Sequence, residues 1–291
     1  MAKIFGCFSD KACDVTRLES YLRKNGDQFK KISTDKGVIL LSWNQNDFSK
    51  IINKKDLILI FEGFDCSLYS SPNVAETYRK EGDRFFSRFN GQAKAIILDL
   101  EKNTVKLASD PFGLNFLYFM IKDRVFAFSS EMKLLLFYDP SLRKNINKCA
   151  LAEYAVFHYI IGNKTVFQHI TLLDSASALK LDLNSFNYEI KKYLLFPSNY
   201  SKVTNHPKTL RKVKDLLVKS VNKRTFKGTK LTLSGGLDTR VMLASVSPSK
   251  RKNLVCINFG NLQCDDVRFA RLIAQKFAIG YNFHQITVKR W

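Results

Sequence analysis

Leu231-Thr232-Leu233-Ser234-Gly235-Gly236-Leu237-Asp238-Thr239 carries a short apolar segment into two consecutive glycines and out into an amphipathic pattern. Paired glycines let a backbone adopt positive φ and approach an anion closely. A helix starting behind them aims its free N–H groups and the positive end of its dipole at the same point. Ser234 and Thr239 add hydroxyls, and Asp238 can cap the helix or orient Mg²⁺ on bound phosphates. These are the mechanics of a phosphate cradle without the Gly-Lys-Ser/Thr of a Walker loop. The same six residues also suit a plain strand-to-helix turn, with Gly for geometry and Ser and Asp as caps. Working outward, a basic amphipathic helix is expected over 208–225, strands over 231–233, 254–259 and 283–288, and helices from Leu237 through Val246 and over 265–278. Strand and helix alternate, which argues a partial α/β parallel sheet of the doubly wound kind.

Upstream the rhythm is different. Runs rich in Ile, Val, Leu and Phe, bounded by Gly, Asn, Asp and Ser, read as strands at 3–8, 38–43, 57–61, 93–98, 104–108, 115–121 and 124–128. Helices are expected at 73–81, 130–138 and 148–157, with a strand-rich tail over 165–193. Many strands with few helices indicate an α+β sandwich. A polar stretch with prolines at 197 and 207 separates the two patterns. The expected domains are therefore 1–195, a linker at 196–207, and 208–291.

The chain has 291 residues, 47 Lys plus Arg against 26 Asp plus Glu, and a formal charge of +21. Residues 201–291 hold 19 basic and 4 acidic residues, a balance of +15, against +6 for the first two hundred. The excess points the last third toward an anion, whether nucleic acid or nucleotide phosphate, or reflects a solvated lysine-rich face. No aromatic-plus-basic recognition motif supports nucleic acid. The longest nearly unbroken apolar run, 114–121, falls far short of the ~20 residues of a membrane span. Neither a membrane partner nor a signal peptide is expected. Six scattered Cys without a C-x-x-C pair read as reduced thiols of a cytoplasmic protein, and the four His, at 158, 169, 206 and 284, have no metal-ligand spacing.

The loop resembles the pyrophosphate-binding loop of the N-type ATP pyrophosphatases, and specifically of the asparagine synthetases. The resemblance extends to Leu98 through Tyr118, with Asp110-Pro-Phe-Gly at its turn, and to Phe126-Ala-Phe-Ser-Ser-Glu131-Met-Lys-Leu-Leu. It continues at Phe259-Gly260 and at Cys264-Asp265-Asp266-Val-Arg-Phe-Ala270. That family joins a type-2 glutamine amidotransferase domain of the N-terminal-nucleophile fold to a synthetase that adenylates a carboxylate with ATP and amidates it with ammonia. The resemblance implies that Leu233 and Phe259 border adenine and ribose. It places Ser234, Gly235, Gly236, Leu237, Asp238, Thr239 and Gly260 at the ATP pyrophosphate, with Mg²⁺ carried on ATP and aspartate as the acceptor. Arg240 can serve the phosphates or pair along its own helix.

The first domain departs from the family. Ala2 occupies the position of the nucleophilic Cys, and a methyl group cannot attack a carbonyl. Cys7, inside a strand, carries no free α-amine to replace it. Glu62 and Gly63 stand where the family has the Asn-Gly of the oxyanion hole, setting a carboxylate where negative charge would develop. Ser70 replaces an Asp that grips glutamine, and Ser109 replaces the Arg before Asp110. An inactive glutaminase is the expectation. The family continues past the position of Trp291 through a second nucleotide loop, so a truncated chain, half of a split synthetase completed by another chain or a homodimer, or a non-catalytic nucleotide-binding pseudoenzyme are the forms expected.

Overall fold

The structure, a computed structural model, describes residues 3–25, 28–43, 49–64, 73–89, 91–195 and 206–286. The chain forms two compact units, Met1–Pro197 and Ser198–Trp291.

In the first unit the elements follow as β1 (Lys3–Ser9), α1 (Thr16–Lys24), β2 (Gln28–Thr34), β3 (Gly37–Trp43), β4 (Ser49–Lys54), β5 (Leu57–Phe64), α2 (Val74–Glu81), β6 (Gln92–Asp99), β7 (Thr104–Ala108), β8 (Tyr118–Lys122), β9 (Val125–Ser129), α3 (Met132–Tyr138), α4 (Lys148–Phe157), β10 (Thr171–Leu172), β11 (Ser177–Asp182) and β12 (Tyr188–Lys192). They make two six-stranded sheets, ordered β10-β8-β9-β1-β3-β2 and β12-β11-β7-β6-β5-β4. Neighbouring strands pair antiparallel in both.

The side-chain period of a strand assigns each residue to a layer. Ile4 and Phe8 of β1, Ile58 and Ile60 of β5, and Ile96 and Leu98 of β6 fill one apolar layer between the sheets. Phe5 and Cys7 of β1 point the other way, under Leu18 and Leu22 of α1 and Leu134 and Leu135 of α3. Leu57, Leu59 and Phe61 of β5 are covered by Val74 and Tyr78 of α2 and by Phe85 and Phe86 of the 3-10 turn that follows it. The result is helices, sheet, sheet, helix. Central strands buried on both faces read as unbroken apolar runs for that reason.

Three elements of the first unit were absent from the sequence reading. Strands β2 and β4 are the outer edges of their sheets, and an edge strand beside solvent keeps few apolar residues: Ile32 is the one buried side chain of β2, and β4 has none. Helix α1 buries only Leu18 and Leu22, too sparse a stripe to announce a helix. Strand β8 starts at Tyr118, not at 115. The buried Asp110 carboxylate explains this, accepting the N–H groups of Phe112 and Leu114 at 3.0 Å on Oδ1 and of Asn115 at 2.8 Å on Oδ2. Those donors close a turn and are withdrawn from any ladder.

The second unit contains α5 (His206–Lys223), β13 (Lys230–Thr232), α6 (Leu237–Ser245), α7 (Pro248–Arg251), β14 (Val255–Gly260), α8 (Asp265–Lys276) and β15 (Gly280–Gln285). The three strands pair in parallel in the order β13-β14-β15. Leu233, Leu243, Leu254, Cys256, Ala270 and Ala274 form its core. Helix α5 begins inside the expected linker, because Pro207 sits in the first turn, where a missing N–H costs no hydrogen bond. Linker residues 196–205 lie outside the described residues. Strand β15 starts at Gly280, opposite Val255, earlier than the expected 283; of the expected strand, residues 287–288 lie outside the described residues.

Asp110→Asn keeps the side-chain shape but turns an amide donor toward N–H groups that need an acceptor. It is expected to destabilise the first unit by about 2–3 kcal/mol, read as a lowered midpoint in urea unfolding.

Candidate functional site

Two places in the chain carry the expected chemistry, one in each unit. In the first, Phe61-Glu62-Gly63 closes β5. Glu62 lies on the face of β5 that carries Ile58 and Ile60, and is 2% exposed. Its register partner across β6 is Lys94, whose Nζ lies 2.7 Å from Glu62 Oε2 with both side chains 3% exposed. Lys94 Nζ also donates to the Phe116 carbonyl at 3.4 Å. The misplaced carboxylate of the sequence reading thus has its own cation. Lys94 carries no signal in the sequence, because α2 and the 3-10 turn lie between β5 and β6 and only their register sets the two charges opposite each other. An oxyanion hole needs hydrogen-bond donors aimed at an empty point, and here the ammonium is committed to a neighbouring carboxylate. Gly63 has no room for a side chain, since a Cβ would come within 2.3 Å of the Gln92 carbonyl oxygen.

The other departures are structural parts. Cys7 is wholly buried on the opposite face of β1, and its thiol donates to Tyr138 Oη at 2.9 Å. Ser109, also buried, splices β7 to β11: its hydroxyl donates to the Asp174 carbonyl and accepts the Ser177 N–H at 3.1 Å. Ala2 and Ser70 lie outside the described residues.

In the second unit, Ser234–Thr239 connects β13 to α6. Gly235 has φ +79°, and a Cβ there would lie 3.0 Å from both the Asp266 carbonyl oxygen and Phe269 Cβ of α8. Conformation and close packing both demand glycine. Helix α6 is capped by Gly236 and has no side-chain cap, so the N–H groups of its first turn remain open to a ligand. This corrects one expectation, since Asp238 stands in the first turn without capping it. Ser234 Oγ lies 3.4 Å from Thr239 Oγ1 and accepts the Gly236 N–H at 3.3 Å. Thr239 Oγ1 donates to the Gly236 carbonyl at 3.1 Å, and Arg240 Nε to the same oxygen at 3.4 Å. Arg240 therefore folds back onto its own turn.

Leu233 is also corrected. Its side chain is fully buried in the core, and its backbone is fixed by its N–H donating to Ile257 O at 2.9 Å and its carbonyl accepting from Asn258 Nδ2 at 2.5 Å. It anchors the loop and presents no surface to a base. Phe259, 55% exposed, does present one, stacked on His284 with centroids 5.3 Å apart and planes 22° from parallel. His284 is its register partner on β15; the sequence reading left it without a role, because only the pairing brings it to Phe259. Gly260 ends β14 beside them. The loop and this aromatic pair both lie at the carboxyl ends of parallel strands, where open α/β sheets bind ligands.

The donor set suits a phosphate: main-chain N–H groups, two hydroxyls and a helix N-terminus. It suits a protein-held metal less well. No group of three or more His, Cys, Asp or Glu capable of holding an ion occurs among the described residues, so Mg²⁺ at Asp238 would need phosphate oxygens for the rest of its coordination.

The glutamine amidotransferase domain signature matches residues 70–194. The chain is 27% identical over 174 residues to the asparagine synthetase (glutamine-hydrolysing) 2 of Methanocaldococcus jannaschii, covering 58% of this chain and 33% of that one. It is 28% identical over 172 residues to the asparagine synthetase (glutamine-hydrolysing) 1 of Bacillus subtilis, covering 58% of this chain and 26% of that one. The chain thus spans a third or less of the length of these relatives. The glutamine phosphoribosylpyrophosphate amidotransferase of B. subtilis overlays with a TM-score of 0.37 at 10% identity, over 97% of this chain and 65% of that one. The likeness to glutamine-hydrolysing asparagine synthetases read from the motifs is therefore found by direct comparison as well.

Lys94→Met strands a buried carboxylate and is expected to cost about 3–5 kcal/mol, whereas the double variant Glu62→Leu/Lys94→Met stays near or above the parent. Urea unfolding of the two variants side by side checks this.

Proposed function

We propose that this asparagine-synthetase-like protein binds ATP at the Ser234–Thr239 loop in the manner of an ATP-dependent amide ligase, and that its amidotransferase unit does not hydrolyse glutamine. The observation that carries the first half is the open amino end of α6 behind Gly235 and Gly236, flanked by the hydroxyls of Ser234 and Thr239. The observation that carries the second is the buried Glu62–Lys94 pair.

In this reading each residue has a separable task. The N–H groups of the first turn of α6 and the two hydroxyls bind the pyrophosphate oxygens. Gly235 lets α8 pack close enough to hold the loop rigid. Asp238 orients Mg²⁺ carried by the nucleotide. Phe259, supported by His284, offers a flat apolar surface to the base. Bound ATP would supply the electrophilic phosphorus that activates a carboxylate, with aspartate the proposed acceptor and free ammonia the nitrogen source. The +15 balance of residues 201–291 favours a compact polyanion over a nucleic acid.

A second reading, nucleotide binding without turnover in a subunit completed by another chain, is favoured by α5. None of its residues is buried, and Leu210, Val213 and Leu216 lie exposed along it. No described helix is long and apolar enough to cross a membrane, and the cytoplasm is the proposed compartment.

Gly235→Val is expected to weaken Mg-ATP binding at least about tenfold, a difference of roughly 1.4 kcal/mol, by titration calorimetry. An unchanged affinity removes the loop from the site. Aspartate-dependent pyrophosphate exchange separates the two readings, present for a ligase and absent for a nucleotide-binding subunit. Glutamine hydrolysis is expected to be undetectable, and Ala2→Cys alone is expected not to restore it.

A further inference from the structure

A cavity of about 280 Å³ opens on the first unit, away from the Glu62–Lys94 pair. The 3-10 turn Gly82–Arg88 bounds it on one side, and β7, β11, β12 and Tyr193 on the other. Antiparallel register builds its charged wall. Lys106 of β7 pairs with Lys180 of β11, and Lys180 with Glu189 of β12, so the three share one cross-strand row. Lys191 stands in the next row, opposite Ala178 and on the same face. Lys106 is buried and already answered: its Nζ donates to Asp83 Oδ1 at 2.5 Å and lies 5.0 Å from the centre of the Tyr78 ring. The apolar wall is aromatic. Phe86 and Tyr193 both line the cavity, with ring centroids 6.2 Å apart. The Tyr193 hydroxyl donates to the Ser109 carbonyl at 2.5 Å, which fixes that ring in place.

We propose that this cavity is a binding site for a small organic phosphate carrying a flat apolar ring, with the ring against Phe86 and Tyr193 and the phosphate at the mouth beside Arg84, Lys180 and Lys191. The site is independent of the nucleotide loop in the second unit and does not rest on that loop's function.

The charges decide the sign of the ligand. Five lining residues are basic and two are acidic, so the mouth favours an anion. Asp83 is matched by Lys106. Glu189 is shared, 2.7 Å from Lys191 Nζ and 4.0 Å from Lys180 Nζ. Arg84 has no ion-pair partner among the described residues. The side chains of Lys180, Lys191 and Glu189 are 43%, 66% and 45% exposed, and ion pairs so exposed contribute only about 0–1 kcal/mol. A phosphate can therefore displace Glu189 from both ammoniums at little cost. It offers more oxygens than a carboxylate to two ammoniums and a guanidinium, and the guanidinium fork matches its geometry. The aromatic wall decides the rest of the ligand. A bare phosphate would leave that wall wet, and an uncharged ring would leave the cations unused. Only a molecule with both parts uses both walls, in the usual manner of a small-ligand pocket with an apolar lining and a few directed polar groups.

Phenyl phosphate is the probe, titrated into the full chain at low ionic strength by calorimetry. Inorganic phosphate reports the charge alone, and phenol the ring alone. Phenyl phosphate is expected to saturate one site at least about tenfold more tightly than either control, and added salt to weaken it. Arg84→Ala and Lys180→Ala are each expected to lower that affinity about fivefold or more with the urea midpoint unchanged, whereas Gly235→Val leaves it as in the parent. Lys191→Ala, at an exposed position, replaces either cation variant that fails to fold. Equal affinity for inorganic and phenyl phosphate means diffuse surface charge and overturns the proposal. So does the absence of saturable binding, or an affinity that the cation variants leave unchanged. Loss of binding in Gly235→Val would put the probe on the second unit's loop and overturn it as well.

Discussion

Two charges buried at one end of an otherwise apolar layer govern what the first unit can be. Removing an ammonium and a carboxylate from water costs several kcal/mol each, and only close mutual contact offsets it. Glu62 and Lys94 meet that condition at 2.7 Å because antiparallel register sets them side by side on β5 and β6. Neither can leave without stranding the other, so the pair is locked in by the cost of its own dissolution. That constraint reaches the functional question directly. A site for developing negative charge must hold donors in waiting, with their partners yet to arrive. Here the ammonium is already neutralised, and the strand end is tied to its neighbour as part of the core.

The second unit is organised by the opposite principle, polar groups left open. Its loop is rigid where rigidity costs little: Leu233 is sunk in the core, Asn258 holds the Leu233 carbonyl, and α8 presses against Gly235 where no side chain fits. What that frame presents is unsatisfied, namely the amino end of α6 and two hydroxyls sharing contacts with one another. These donors face solvent, and in the proposed reading a phosphate takes the place of the water on them. On the proposed reading, one chain retains a binding device in one half and closes another by internal pairing.

Interior strands were legible in the sequence because burial on both faces writes an unbroken apolar run, as in Leu57–Phe61. The glycine loop was legible because its requirements are local: φ at Gly235, a helix starting at Leu237, hydroxyls within five residues of each other. Edges were not, since β2 and β4 pay for their solvent exposure in polar residues that erase the pattern. Pairings were not either. Lys94 lies 32 positions from Glu62, and His284 lies 25 from Phe259. In both cases the residue gains its meaning only from register, which depends on how strands are ordered in a sheet. The same holds for Leu233, which the family resemblance placed at the nucleotide and which the packing of the parallel sheet turns inward. Asp110 falls between these cases: the Asp-Pro-x-Gly stretch marks a turn, but three N–H groups converging on one carboxylate emerge only when the chain is folded.

The charge of the second unit can now be divided by range. An excess of +15 spread over residues 201–291 raises the local concentration of any anion, yet beyond roughly 8–10 Å it is screened at physiological salt. It cannot by itself distinguish a nucleotide from a phosphorylated or polymeric competitor. The donors at the amino end of α6 act within about 3 Å and in one direction, and in the proposed reading they hold a single phosphate group beside Gly235 and Gly236. Selectivity therefore belongs to the loop, and attraction to the surface. A polymer could exploit the surface charge, but the charge gives it no use for the directed donors at the amino end of α6, and it is those donors that the glycines, the buried Leu233 and the pressing helix α8 combine to hold in place.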